Sequence, residues 1–308
     1  MVMQKDEAEL LLAWLSHYGN LFGYRNLTIY DNGSTEPRTL AILQHAMRLG
    51  VVISTGYDQP HDFHQKGYHF ANLIREWDRQ SDYDFALPVD CDEFLAVFED
   101  DRISTSRDAI LAELNRYVGS ERALRMDMSL FNVPGQEGWF SPDRSFHKGM
   151  LAAGTVAEID NGQHEPRTIA GGHITTRLTY LHRHNRPFDA YIERTRAKLD
   201  PSCRHLTDPD EIRRLADDPL VPGNHLLRSL LRSEEDYHHQ YARELRIRVD
   251  DLFGSGVELA DANGPIHWDT NTYLARHPDV RRHEQGPLHH YLRFGWLEGR
   301  DVGAMRAA

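Results

Sequence analysis

Two hydrophobic periods alternate along the first hundred residues. Leu11, Trp14, Leu15 and Tyr18 recur at helical spacing, which predicts a helix over Glu7–Tyr18 with one buried stripe. Leu27-Thr28-Ile29-Tyr30 reads as a short strand rich in β-formers, stopped by Asp31-Asn32-Gly33-Ser34. Leu40, Leu43 and Met47 mark a second helix closed by Gly50, and Val51-Val52-Ile53 a third strand after an opening one near Met1–Gln4. Phe70, Leu73, Ile74 and Trp77 mark a third helix. Phe85–Val89 is predicted as a fourth strand, although Pro88 counts against a regular central position. Such alternation with short loops predicts an α/β fold whose sheet is mostly parallel, with helices on both faces.

Beyond residue 100 the pattern changes. Ile110, Leu111, Leu114 and Tyr117 suggest one more helix, and the alternation of Leu124, Met126, Met128 and Leu130 predicts one half-buried strand. Phe131–Gly172 is rich in Gly, Pro and polar residues and reads as loops with short antiparallel strands. Asp189–Leu199 reads as a helix, Pro201–Asp251 as charged helices on the side of the main domain, and Asn263-Gly264-Pro265 as a linker. Two short helical pieces follow, Thr272–Arg276 and Leu288–Phe294. The division expected is a main domain over 1–200, a helical extension over 201–262 and a small helical module over 263–308.

Composition narrows the chemistry. The 308 residues carry 47 acidic and 35 basic side chains, a formal charge of −12. A chain this acidic is repelled by polyphosphate backbones, so nucleic acid is not an expected partner. No apolar run approaches the roughly 20 residues that span a bilayer. Met1–Asp6 lacks the apolar core of a signal peptide, and two cysteines make neither a disulfide framework nor a zinc quartet. The simplest compartment is a reducing cytoplasm, with a peripheral place at the inner membrane left open.

Asp90-Cys91-Asp92 is the most informative triplet. Two carboxylates one residue apart, leaving a strand for a loop, can approach one divalent cation such as Mn²⁺ or Mg²⁺, which in turn can bridge a diphosphate. Acidic chains produce such triplets freely, and Asp82-Tyr83-Asp84 and Asp208-Pro209-Asp210 are two more. Only Asp90 and Asp92 lie between apolar runs, at the carboxyl end of an expected strand, where open α/β sheets bind ligands. Asp31, at an earlier strand end, is placed to accept hydrogen bonds from a nucleoside, or to make an ordinary Asx turn.

These segments resemble the glycosyltransferase family 2-like enzymes of GT-A fold, in the branch with a Lys-(Asp/Asn)-Glu opening and an Asp-x-Asp-Glu-Phe motif. The residues that carry the resemblance are Lys5-Asp6-Glu7, Ile29–Thr35, Val89-Asp90-Cys91-Asp92-Glu93-Phe94 and, further on, His182–Phe188. It implies a nucleotide-sugar donor, usually a UDP-sugar, a divalent cation, and a glycan or glycolipid acceptor. By carry-over Asp31 contacts the nucleoside, Asp90 and Asp92 the metal and donor phosphates, and Glu7 the floor of the donor pocket. The tail, Tyr273–Val280 and His290–Arg300, resembles a short module appended to bacterial glycosyltransferases.

Sugar transfer by single displacement needs a carboxylate to take the acceptor's proton. Glu158, Asp160 and Glu165, in the loop-rich segment, are the base candidates, with Asp127 on the strand before them. His164 is a candidate third metal ligand or phosphate contact, and Lys148, His182 and Arg186 are candidates for neutralising a diphosphate. For each, an ordinary surface or core role is the alternative. The expected function is therefore metal-dependent sugar transfer. The alternatives are a non-catalytic carbohydrate-binding or scaffold protein and, with no Gly-rich phosphate loop to favour it, a nucleotidyltransferase.

Overall fold

The computed structural model describes residues 1–199, 202–221, 224–249 and 257–302, without the side chains of Pro60, Lys198 and His225. The first part follows the hydrophobic pattern. Strands Val2–Gln4, Thr28–Asp31 and Val52–Ser54 pair in parallel in that order. Helices Ala8–Phe22 and Pro37–Leu49 connect them. The first helix buries Leu11, Trp14, Leu15 and Tyr18, the predicted stripe, and Gly50 closes the second helix at φ 97°. Glu36 caps the second helix by accepting from the Thr39 backbone N–H.

The mostly parallel sheet covered by helices is not what forms. Most strand pairs among the described residues are antiparallel, and the largest sheet is an eight-stranded, mixed, curled one. The cause lies in the connections. A parallel pair needs a long crossover, and the first three strands have helices to make it. Beyond residue 90 several neighbouring strands are joined by short loops, with the helix Arg107–Asn115 between Ile103–Ser104 and Ala123–Met126. Ser129–Asn132 and Trp139–Asp143 are joined by a tight turn and pair antiparallel, while Glu93–Phe98 pairs antiparallel with both Ile103–Ser104 and Leu178–His182. A separate four-stranded sheet combines His173–Thr175, Ala123–Met126, Lys148–Ala152 and Phe85–Ala86.

Other differences are local. The alternating stretch from Leu124 to Leu130 breaks at Asp127-Met128 into two strands that join different sheets. The fourth strand shortens to Phe85–Ala86, and the chain up to Val89 then runs beside Met1, with the Val89 N–H donating to the Met1 carbonyl at 3.0 Å. The segment after residue 201 contains short helices as expected, Pro209–Ala216 and Glu234–His239 among them, but also the strand Arg246–Arg248. Part of that segment, 250–256, lies outside the described residues, as do 303–308 at the end of the expected module. Asn263-Gly264-Pro265 belongs to a hairpin and is not a linker: Ala262 and Asn263 form the turn between Glu258–Asp261 and Gly264–His267. This hairpin extends the eight-stranded sheet.

The tail helices, Thr270–Arg276 and Pro287–His290, share one core with that sheet: Trp268, Tyr273, Leu288 and Leu292 pack with Phe98, Leu130 and Phe140. Gly295 is required where it stands, because a Cβ there would lie 2.3 Å from the Tyr273 hydroxyl. The tail is tied down by polar contacts as well. His289 Nε2 meets Asp127 Oδ1 at 2.9 Å, Arg293 approaches the same carboxylate at 3.6 Å, and Arg144 donates to the Leu292 carbonyl at 2.8 Å. Among the described residues no helix is long and apolar enough to cross a membrane.

Burial, reinforced by the neighbouring His289 and His290, pushes His283 down from 6.5 to about 4, and burial lowers His290 as well. Groups held below their ordinary pKa bind more protons when unfolded, so stability falls as the pH drops through the window from 6.5 to about 4 and levels off below it. The protection factors of the tail amides, corrected for the intrinsic pH dependence of exchange, should therefore fall across that window ahead of the rest of the chain; protection that stays constant relative to the first sheet would contradict this.

Candidate functional site

The acidic pair lies where three elements converge. The antiparallel register sets His182 opposite Glu93, and the chain continues in step, the Arg183 N–H donating to the Asp92 carbonyl at 2.7 Å. His182 Nε2 thereby comes 3.5 Å from Asp92 Oδ2. His184, two residues on, shares that side, as extended chain requires. One ligand atom each from Asp92, His182 and His184 lies within 4.8 Å of the others. Phe131 and Phe146 wall the imidazoles, with the Phe131 centroid 4.6 Å from His182 and 5.1 Å from His184, and that of Phe146 5.0 Å from His182. Burial pushes His182 down, but the hydrogen bond and charge of Asp92 outweigh it and hold the imidazole above its usual pKa. In return His182 keeps Asp92 below the usual carboxylate range against the effect of burial.

Asp90 is engaged differently. Lys66 Nζ lies 2.5 Å from Oδ1 and Lys148 Nζ 3.1 Å from Oδ2. Lys148, 1% exposed, also meets Glu93 Oε1 at 2.9 Å and Gln163 Oε1 at 3.3 Å. Glu93 is fully buried and its other oxygen accepts from the Asp90 backbone N–H at 2.8 Å. Burial would raise Asp90, and the charges of Lys148 and Lys66 reverse it, leaving the carboxyl well below its usual range. Burial raises Glu93 despite Lys148.

Glu7 forms the third part. It receives Arg194 at 2.5 Å and Arg186 at 2.9 Å, so two guanidinium groups stand beside the loop that carries Cys91 and Asp92. Cys91 itself is buried in the core as a small apolar group. Asp31, also buried, accepts from Gln4 Nε2 at 2.8 Å and from the Ser34 hydroxyl and backbone, which is an Asx-type turn. Asp6 takes a left-handed φ of 52° and accepts from the Thr35 and Glu36 N–H groups at 2.8 Å, tying the two strand ends together. Gln163, at φ 53°, is the other non-glycine residue in that region among those described. Strained backbone of this kind gathers at functional sites, and both residues border the groups above.

The structure thus joins Asp90, Asp92, Lys148, His182, Glu7 and Arg186 in one region, but not every expected residue. His164 is outside the ligand group: its Nδ1 meets the His147 carbonyl at 2.8 Å and its ring packs on Phe146. Asp160 spends both oxygens on the N–H groups of Gly162, His164 and Glu165. Glu158 pairs with Arg167 at the surface, and exposed Glu165 lies 3.5 Å from Arg125. Asp127 is held by the tail. Sequence reasoning passed over His184, Lys66 and Arg194. His184 was legible, since residues i and i+2 of an extended chain point the same way; nothing local marks the other two.

Compared with known proteins, the chain matches no family model and no curated protein.

Removing Lys148 leaves the fully buried Glu93 carboxylate without its ammonium partner, while Asp90 keeps Lys66. Lys148→Met should cost about 3–5 kcal/mol of stability in urea unfolding, the range for breaking a buried ion pair from one side. A loss below about 1 kcal/mol, the level of an exposed pair, would show that water reaches the cluster.

Proposed function

We propose that the protein is a metal-dependent glycosyltransferase that takes a sugar from a nucleotide-sugar donor, a UDP-sugar as the family 2-like resemblance implies, to a glycan or glycolipid acceptor. The observation that carries this reading is the grouping of Asp92, His182 and His184 beside the paired guanidinium groups of Arg186 and Arg194. The donor set fits a divalent transition ion. Two imidazoles and one carboxylate suit Mn²⁺ better than Mg²⁺, which prefers oxygen ligands and its own water. His182 Nδ1 is buried with no hydrogen-bond partner among the described residues.

A cation at Asp92, His182 and His184 would offset charge growing on the departing nucleoside diphosphate. The chain's own groups do the rest. Arg186 and Arg194, held by Glu7, present fixed N–H donors suited to phosphate oxygens. Phe131 and Phe146 fix the imidazoles and keep water from that side. Asp90, neutralised by two lysines, orders the loop and leaves Asp92 as the carboxylate that faces the histidines.

One observation favours a second reading. With both oxygens of Asp90 already engaged by ammonium groups, the site has one free acid of the expected pair, as a carbohydrate-binding protein without turnover would tolerate.

Calorimetric titration should give Mn²⁺ binding that Asp92→Ala and His182→Ala each weaken on the order of 100-fold or more, since even outer-shell losses at metal sites cost 10–100-fold. UDP release from a nucleotide-sugar panel should require Mn²⁺ and fail in Asp92→Ala. Release indifferent to both metal and substitution refutes the transferase reading, while glycan binding without any release selects the second.

A further inference from the structure

A cleft of about 550 Å³ opens between the outer face of helix Lys66–Gln80 and the chain from Ala157 to Asn161. Both walls lead back to the acidic site. The helix begins with Lys66, which binds Asp90, and the loop runs on to Gln163, which binds Lys148. The two walls are pressed together beside the cleft at Gly67, where a Cβ would lie 2.3 Å from the Ile159 carbonyl oxygen.

The chemistry of the lining selects a class of ligand. Tyr68 stands on the cleft with 63% of its surface exposed, in a protein whose other tyrosines are mostly covered. Ala71 and Ile159 are apolar and buried beneath it. Gln65 supplies a carboxamide with a donor and an acceptor end, and Asn161 one whose Oδ1 accepts from the Gly67 N–H at 3.3 Å and whose NH2 is the donor. The charged groups of the lining balance: Glu158 pairs with Arg167, Arg75 keeps its positive charge while donating to Asn72 Oδ1 at 2.9 Å and to the Ala157 carbonyl at 2.6 Å, and Asp160 keeps its negative charge while accepting from backbone N–H groups. An ionic ligand finds no net counter-charge here, and a lipid chain would bury the carboxamides unpaired. What fits is a neutral ligand with one C–H face for the phenol ring and hydroxyls around its edge.

We infer that this cleft binds a neutral saccharide, with Tyr68 as the stacking platform and Gln65 and Asn161 as the hydroxyl partners. Its role as the acceptor subsite rests on the glycosyltransferase reading; its saccharide chemistry does not.

Saturation-transfer NMR of the whole chain with maltotriose, cellotriose and chitotriose, without nucleotide, tests it. At least one should bind, with saturation strongest on ring C–H protons. Tyr68→Ala should weaken that binding about tenfold, the equivalent of roughly 1.4 kcal/mol, with Tyr68→Phe close to the parent. Since Tyr68 is exposed, the variants should melt like the parent, and that is measured alongside. No saturation by any of the three at about 10 mM, or binding that Tyr68→Ala leaves intact, overturns the inference. UDP with Mn²⁺ is titrated into the same samples. Saccharide binding without UDP binding removes the transferase role and keeps the cleft; UDP binding without Tyr68-dependent saccharide binding does the reverse.

Discussion

The ammonium of Lys148 lies in the interior between Asp90 and Glu93, with Gln163 as its third partner. An unpaired charge at that depth would cost several kcal/mol, so the four groups stand or fall together. They come from different places: Lys148 from a strand of the four-stranded sheet, Glu93 from the eight-stranded sheet, Asp90 from the loop between, Gln163 from a strained turn. The cluster is therefore the joint between the two sheets. It also decides which acid is available. By consuming Asp90 it leaves Asp92 to the histidines.

Around that joint the site is a product of antiparallel pairing. The hydroxyl of Tyr18, on the first helix, accepts from the Leu95 N–H and donates to the Glu93 carbonyl, which fixes the strand that follows the acidic loop. The neighbouring strand then delivers His182 in register, and the extended chain beyond it delivers His184 and the Arg186 that reaches Glu7. A parallel sheet would have carried the second strand's end to the same edge only after a helical crossover. Here adjacent strands run in opposite directions, so the end of one meets the beginning of the other.

The tail belongs to the same construction. Its aromatic residues complete the far side of the eight-stranded sheet, and its His289 and Arg293 take hold of Asp127 at the break between two strands. Trp268, Tyr273 and Tyr291 of the tail's aromatic set are buried and spent on packing, while Phe294 is exposed. Exposed aromatics remain nearer the acidic region, Tyr68 on the helix that begins at Lys66 and Phe63 just before it, where the Lys66 ammonium lies over its ring.

The sequence alone determined what depends on near neighbours. Helical and strand periods located the first two helices and the strands of the parallel sheet, Gly50 marked a helix end, and the position of Asp90 and Asp92 between apolar runs marked the site's loop. Side-chain spacing along one segment is written in covalent order, and these features need nothing else. Partnership across segments is not. Lys66 and Lys148 reach Asp90 from 24 and 58 residues away, and which of them neutralises it depends on sheet register and helix placement. The same holds for strand direction, which the short loops of the middle segment turned antiparallel, and for Asp160 and His164, whose polar atoms were taken by backbone close at hand. Only the folded chain decided which of the candidate charges had partners already, because an ion pair is a property of distance and not of order.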